Sequence, residues 1–250
     1  SMTMLSLAKM VPTAISSLMG TVVGVFNPQI TIAYAEGDKE KLVDIIKSCN
    51  RILIFIMSIP IAFLTAYGRD FYALWQPTKD PDMLQRLSLL AVGVLYVSMS
   101  IQVLYHVFII TKKVKWNSLV VLGSGICSSL LSLILLSKTD LGVACFPLSS
   151  MLTGVLRNMI FTPIYAARCL EIRWNRFYSD IFLGFASIGT ITVLGLLSRM
   201  IVPIHSWIIL LLTGVVMGPL ALLVNFFVIL RKQERNMVIG MVRSRLKGEA

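Results

Sequence analysis

The sequence predicts an all-α integral membrane protein with about seven transmembrane helices. Of its 250 residues, 56% are hydrophobic and only 14% are charged, and the mean hydropathy is +0.82. Soluble domains average about 45–50% apolar and about 25% charged residues, so this chain lacks the polar side chains that would cover a soluble core of its size. Its apolar runs also reach the roughly 20 residues that a helix needs to cross a bilayer. These observations exclude a soluble enzyme and an intrinsically disordered chain.

Seven stretches of the sequence have the length and composition of membrane spans. In chain order they cover residues 5–35, 53–75, 87–110, 116–136, 141–166, 181–197 and 204–230. Short polar connectors separate them, and none is long enough to form a second soluble domain. Because lipid offers the backbone no hydrogen-bonding partner, only helices or closed barrels cross it, and runs of this length favour helices. We therefore expect residues 1–250 to form one transmembrane unit.

The first stretch also resembles a secretory signal, because Ala33-Tyr34-Ala35 has the pattern of a cleavage site. Its apolar run is about twice as long as a signal core, and Gly24 and Pro28 interrupt it. A signal would also place the next connector outside the cell, although that connector is basic. We therefore interpret this stretch as a span.

The later stretches are bounded by turn-forming and basic residues. The second contains Pro60 and ends at Trp75, and a connector with Pro77 and Pro81 separates it from the third. A basic turn at residues 112–115 precedes the fourth, and Leu141-Gly142 opens the fifth. The sixth and seventh lie between the basic segment 168–176 and a basic tail at 231–250. Prolines inside or near the spans predict kinked or locally broken helices, as transporters often have.

The distribution of Lys and Arg predicts the orientation of the spans. Sixteen fall in one set of flanks and five in the alternate set. The first set is Lys39, Lys41, Lys47, Arg51, Lys112, Lys113, Lys115, Arg168, Arg173, Arg176, Arg231, Lys232, Arg235, Arg243, Arg245 and Lys247, and the second is Arg69, Lys79, Arg86, Lys138 and Arg199. Because cytoplasmic loops carry the excess of positive charge, we predict a cytoplasmic C-terminus in a multi-pass protein of the cytoplasmic (inner) membrane. The net charge of +11 is then explained by topology, no nucleic-acid partner is predicted, and the tail 231–250 is expected to face anionic membrane lipids.

Residues that bind metals or perform catalysis are sparse in this sequence. The four cysteines are scattered, the only histidines are His106 and His205, and no nucleophile or P-loop motif occurs. We therefore predict no metal, no cofactor and no enzymatic activity. All twelve Asp and Glu residues fall in connectors or at the ends of spans, so no carboxylate is expected at mid-membrane depth to carry a coupling ion.

Arg157 is the one basic residue expected deep inside a span. A charge at the centre of a bilayer costs at least ~2.5 kcal/mol, so it should face protein or a water-filled cavity. Asn158 follows it directly, and Ser150, Thr153 and Tyr165 extend a polar stripe at helical spacing. Two interpretations remain open: Arg157 contacts an anion in a cavity, or it is a structural residue paired with carbonyl groups or with another part of the protein.

A second polar stripe follows one face of the first span. It consists of Lys9, Thr13, Ser16, Ser17, Gly20, Thr21, Gly24, Asn27, Pro28 and Thr31. Steps of three and four residues keep these side chains on one side of a helix. The Gly20-x-x-x-Gly24 spacing suits close helix packing, whereas Lys9 and Asn27 favour a water-filled cavity. The third span adds Ser98, Gln102, Tyr105 and His106, which are either interior hydrogen-bonding residues or part of the same cavity.

The order of several short motifs resembles one family of transporters. Phe26-Asn27-Pro28 followed by Ala35-Glu36-Gly37-Asp38 and Leu42 is similar to a signature of polysaccharide flippases of the O-antigen type. These belong to the multidrug/oligosaccharidyl-lipid/polysaccharide exporter superfamily. Further loose matches, in the order of that family, are Ile59-Pro60, Leu74-Trp75, Lys112-Lys113-Val114-Lys115-Trp116-Asn117-Ser118 and Leu141-Gly142-Val143-Ala144.

The resemblance implies a fold of 12 to 14 helices in two lobes, of which this chain would be the C-terminal lobe and the last two helices. It implies that an N-terminal lobe is missing here, and that the substrate is an oligosaccharide linked to undecaprenyl diphosphate, as in O-antigen, lipopolysaccharide or capsule synthesis. The residues expected to bind it are Arg157, Asn158, Lys9, Asn27 and Gln102, because a diphosphate favours cations and hydrogen-bond donors.

Three alternatives remain at this point. The chain could belong to a multidrug or peptidoglycan-precursor exporter of the same superfamily. It could be an integral-membrane enzyme of glycan synthesis, for which Asp80 and Asp82 are the available acidic pair. It could also be a non-transporting assembly subunit, which would leave Arg157 without a role.

Overall fold

The computed structural model describes residues 2–230 and residue 235. Within these residues all of the regular secondary structure is helical, and the α-helices are numbered here in chain order. They are α1 (Met2–Ala35), α2 (Lys39–Trp75), α3 (Pro81–Gly93), α4 (Leu95–Ser98), α5 (Leu104–Ile110), α6 (Val114–Lys138), α7 (Cys145–Leu156), α8 (Thr162–Cys169), α9 (Tyr178–Ile201) and α10 (Trp207–Val228). A 3₁₀ turn at Gly142–Ala144 precedes α7, and a π turn at Arg157–Phe161 joins α7 to α8.

Six of the seven predicted spans are long, apolar helical segments in the described part of the chain. They are Thr3–Ala35, Lys39–Trp75, Val114–Lys138, Gly142–Cys169, Tyr178–Ile201 and Trp207–Val228. Each covers the stretch expected from the sequence, and the ends differ by a few residues except at the start of α2. The protein is therefore a multi-pass membrane protein.

The third predicted span, residues 87–110, is not one long helix in the structure, so the expected count of about seven transmembrane helices is not confirmed. Here α3, α4 and α5 are joined by tight turns, in which Ser100, Ile101 and Leu104 donate to carbonyls three residues back at 2.9–3.1 Å. The Ser98 hydroxyl donates to the Val94 carbonyl at 3.0 Å, which competes with the regular helical ladder. The segment still passes between the two ends of the bundle, because Asp82 pairs with Arg69 at one end while the Lys113 carbonyl accepts from Tyr165 at the other.

Helix α2 begins earlier than the sequence predicted, at Lys39 rather than near residue 53. The Asp38 side chain caps it by accepting from the Lys41 backbone N–H at 3.0 Å, as short polar residues do at helix starts. The first turns are amphipathic, with Leu42, Ile46 and Cys49 buried. A segment that was expected to be a basic connector is therefore the first part of a helix.

Helix α2 forms the centre of the bundle and packs against α1, α3, α9 and α10. In its most apolar stretch 61% of the residues are buried, against 6% in α6 and 11% in α10. The apolar side chains of α6 and α10 are consequently among those most available to lipid. Helix α6 packs mainly on α7.

Ion pairs mark the two ends of the bundle. At one end Lys39 pairs with Glu171 at 2.6 Å. At the other, Arg199 pairs with Asp70 at 2.7 Å. Basic residues of the two predicted sets, Lys39 in one and Arg199 in the other, thus lie at opposite ends of the bundle. Which end faces the cytoplasm stays a prediction. The tail 231–250 lies outside the described residues except for Arg235, whose guanidinium donates to the Leu230 carbonyl at 2.9 Å.

Candidate functional site

The π turn between α7 and α8 positions Arg157, which lies at the middle of this helical run. Pro163 has no backbone N–H, so the carbonyl of Met159, four residues earlier, loses its helical donor. The Tyr178 hydroxyl donates to this carbonyl at 2.8 Å. The Thr162 N–H donates instead to the Arg157 carbonyl, five residues back. Such π turns often occur at functional positions.

Asn158 is buried in the π turn, and both its amide nitrogen and its amide oxygen form hydrogen bonds. Its Nδ2 donates to the Ser98 hydroxyl at 2.8 Å. Its Oδ1 accepts from the Tyr105 hydroxyl at 2.8 Å and from the Arg157 Nε at 3.3 Å. These bonds join the π turn to the broken third span. Asn158, expected to bind substrate, therefore has the contacts of a packing residue that positions Arg157.

Arg157 lies midway between Cys145 and Cys169, roughly 18 Å from each end of the helical run at 1.5 Å per residue. Its side chain is half-buried. Besides the bond to Asn158, its Nη1 donates to the Ser124 hydroxyl of α6 at 3.3 Å. Both acceptors are neutral, and among the described residues no carboxylate pairs with this guanidinium. The site thus holds a deep positive charge with unused hydrogen-bond donors.

Lys9 lies in a cleft of about 360 Å³ between α1, α3 and α7, which we name the polar groove after the side chains of one wall. That wall consists of Lys9, Thr13, Ser16 and Ser17 on α1 and Ser150 on α7, whereas the rest of the lining is apolar and includes Leu90, Leu95 and Met151. Ser150 also lies 3.3 Å from the Ser128 hydroxyl of α6. Ser128 is one turn of α6 from the serine that contacts Arg157, so hydroxyl groups connect the polar groove with the deep cation.

Asn27 and Gln102 lie away from Arg157. The Asn27 carbonyl accepts from the Thr31 hydroxyl at 2.8 Å, and Thr31 lies 3.1 Å from the His106 Nε2. The side-chain oxygen of Asn27 is buried without a hydrogen-bond partner within the described range. Gln102 is half-buried in the turn before α5. The five predicted residues therefore occupy several places along the bundle, and Arg157 and Asn158 are the pair in direct contact.

The sequence did not reveal a buried ionic cluster between α2 and α9. Asn50 Nδ2 donates to Asp180 Oδ2 at 3.1 Å, and both residues are fully buried. Lys47 and Arg51 are also buried on the same face of α2. The spacing of these three α2 residues on one helical face was the available signal, and it was missed because the segment was interpreted as a connector.

Asp80 and Asp82, the acidic pair considered for an enzyme, both have structural partners. Asp80 caps α3 by accepting from the Asp82 N–H at 2.9 Å. Asp82 accepts from the Arg69 Nε at 2.7 Å. This hydrogen bond from Arg69 holds the pKa of Asp82 below its usual range, so the carboxyl stays ionised and is a poor general acid.

An apolar cleft of about 400 Å³ opens between α1, α2, α9 and α10. It is lined almost wholly by hydrocarbon side chains and glycines, including Ile59, Phe63, Phe71, Met217 and Gly218. Its composition suits an alkyl or isoprenoid chain.

Comparison with known proteins finds a similar membrane protein. The chain is 26% identical over 232 residues to the uncharacterized membrane protein EpsK of Bacillus subtilis (strain 168). The match covers 93% of this chain and 46% of the relative, so the chain spans about half the length of the protein it matches. No family model matches the chain, and no solved structure matches it significantly. Together the fold and this similarity describe a multi-pass membrane protein similar to EpsK.

Proposed function

We propose that the chain forms one lobe of a transporter that moves an oligosaccharide linked to undecaprenyl diphosphate across the cytoplasmic membrane, in the synthesis of a cell-surface polysaccharide. The observation that carries the proposal is Arg157. A half-buried guanidinium at mid-depth, bonded only to Ser124 and Asn158 among the described residues, needs an anion to offset its burial. A diphosphate supplies one and can accept two parallel bonds from the guanidinium.

Two further features support a substrate that is polar at one end and apolar at the other. The polar groove at Lys9 leads by way of Ser150 and Ser128 toward the deep cation. The apolar cleft beside Phe63 and Phe71 would accommodate part of an isoprenoid tail. A cationic drug would be served better by carboxylates, and the described carboxylates lie toward the two ends of the helices.

The test is a pair of substitutions at Arg157 in the complete gene product, expressed in cells that lack their own copy. Arg157→Ala removes a charge-assisted contact, which is worth about 1.5–3 kcal/mol, so surface polysaccharide should fall by at least about tenfold at equal membrane abundance. Arg157→Lys should restore export only in part, because an ammonium cannot form the bidentate contact.

Arg173→Ala is the matched control, since it removes the same side chain from an exposed connector. Normal export by Arg157→Ala at normal abundance would refute the proposal. Loss of the Arg157→Ala protein from the membrane would instead show that Arg157 supports folding.

A further inference from the structure

Three basic side chains surround a further cleft, at the start of α6. This headgroup cleft, as we name it, has a volume of about 390 Å³ and is lined by Lys113, Lys115, Trp116, Tyr165, Arg168 and Cys169. Its three basic side chains come from two separate segments: Lys113 and Lys115 lie at the start of α6, and Arg168 lies in the last turn of α8. The Tyr165 hydroxyl donates to the Lys113 carbonyl at 3.0 Å, which holds these segments together.

None of the three cations of the headgroup cleft forms an ion pair with a carboxylate within the described residues. The carboxylate of Glu171 pairs with Lys39 at 2.6 Å and also interacts electrostatically with Lys113, with which it lines a neighbouring cleft. All three basic side chains are exposed, and because like charges that line one cleft repel one another, a bound anion would be favoured there.

The surroundings of the cleft indicate a membrane lipid rather than a soluble anion. Trp116 is 61% exposed and sits at the end of a long apolar helix, where indole rings mark the headgroup level of a bilayer. Beyond it, Leu119 and Leu122 of α6 are exposed apolar residues. Within α6, only Ser132 is buried. A ligand with a phosphate in the cleft could therefore lay its hydrocarbon chains along α6.

We propose that the headgroup cleft binds the phosphate of an anionic phospholipid whose acyl chains lie along α6. This site is separate from Arg157 and does not depend on what the protein transports. The site also includes none of the basic residues of the tail at 231–250, for which the sequence predicted contact with anionic lipids.

The test measures lipid binding to the purified complete gene product, by native mass spectrometry in detergent with phosphatidylglycerol or phosphatidylcholine. The site variant is Lys113→Ala/Lys115→Ala/Arg168→Ala. The control variant is Lys79→Ala/Arg86→Ala/Lys138→Ala, which removes three exposed cations at the opposite end of the bundle and leaves the same net charge. Lys138 belongs to the last turn of α6 itself.

Each basic residue near a membrane surface contributes roughly a fivefold change in affinity for anionic lipid. The site variant should therefore bind phosphatidylglycerol roughly a hundredfold more weakly, while the control variant stays within about threefold of the original protein. Phosphatidylcholine binding should be the same for all three. Lys113→Arg/Lys115→Arg/Arg168→Lys, which keeps the charges, should retain binding.

Equal losses in the site and control variants would overturn the proposal, because they would show a non-specific effect of net charge. Displacement of the lipid by millimolar inorganic phosphate would also overturn it, because the ligand would then be a free anion. Selective binding of a polyprenyl diphosphate in place of phosphatidylglycerol would assign the cleft to the transported lipid instead.

Discussion

Helix α9 packs tightly against α2 at Gly195, and this contact allows a quantitative prediction. A methyl group at position 195 would lie 2.8 Å from the Ala66 Cβ and 3.3 Å from the Tyr67 Cε2. Carbon atoms pack best at about 3.5–4.0 Å. The pair α2 and α9 makes the most extensive contact between helices in the described structure, so a disturbance there should affect the whole bundle.

Neither neighbour of Gly195 can move aside easily. The Ala66 Cβ is fixed to the backbone of α2, and the buried Tyr67 ring is held by a hydrogen bond between its hydroxyl and that of Ser198. Gly195→Ala should therefore push the helices apart, and overpacking of this kind costs about 1–3 kcal/mol. The gain in helix propensity returns up to about 1 kcal/mol. The net loss is then up to about 2 kcal/mol, which corresponds to a melting temperature lower by up to roughly 8 °C.

The control is Gly189→Ala on the same helix, where an added Cβ meets no atom within 4 Å. It should melt at the original temperature or slightly above it, because only the gain in helix propensity applies. The melting of both variants can be followed by tryptophan fluorescence in detergent. If Gly195→Ala melts no lower than Gly189→Ala, the described packing of α9 on α2 is wrong.

Three further predictions concern orientation, the interior and pH. In a background without the native cysteines, Lys138→Cys should react with an impermeant thiol reagent from outside intact cells while Lys113→Cys should not, and the reverse result would invert the topology. Asn225→Leu removes an amide that bonds to residues of α2 and α9 at 2.7–3.0 Å, so it should cost about 1–2 kcal/mol in thermal unfolding, and an unchanged melting temperature would contradict that network. A hydrogen bond from Lys39 lowers the pKa of Glu171 below the ordinary glutamate value of about 4.5. The pair therefore stabilises the folded protein fully above about pH 4.5, and this stabilisation is lost as pH falls through the lowered pKa. The difference in melting temperature between the original protein and Glu171→Gln should accordingly shrink only below about pH 4.5.

Apolar length predicted the spans well because a bilayer requires it of every helix that crosses. Interruptions within a span were harder to predict. The break between α3 and α5 contains no proline, and it depends on Ser98 bonding both to its own helix and to Asn158 of a distant segment. The π turn likewise depends on a tyrosine from α9 that replaces the donor missing at Pro163. Such partners come from tertiary packing, which periodicity within one segment does not report.

The start of α2 shows a second limit of the sequence. Charge and hydropathy identify residues 39–52 as polar, and polar segments between spans are usually connectors. Here the polar face of the helix is partly buried, because Asn50 bonds to Asp180 across the interface with α9. A buried polar group is favourable only where its partner is present, and this partner lies 130 residues away. Its identity could not follow from local pattern.

The same helical spacing produces two physically different kinds of polar residue in this protein. Asn158 and Asn225 are buried, and the amide nitrogen and oxygen of each form hydrogen bonds to other helices, so these residues hold the bundle together. Arg157 is half-buried and forms no ion pair within the described residues, whereas Lys113 is an exposed cation that lines the headgroup cleft. A deep charge such as that of Arg157 is retained at a cost, which a bound anion would offset. Position on a polar stripe therefore does not distinguish the two kinds of residue. Residues whose polar groups bond to other helices stabilise the bundle, whereas cations that form no ion pair are the ones expected to contact a substrate or a lipid.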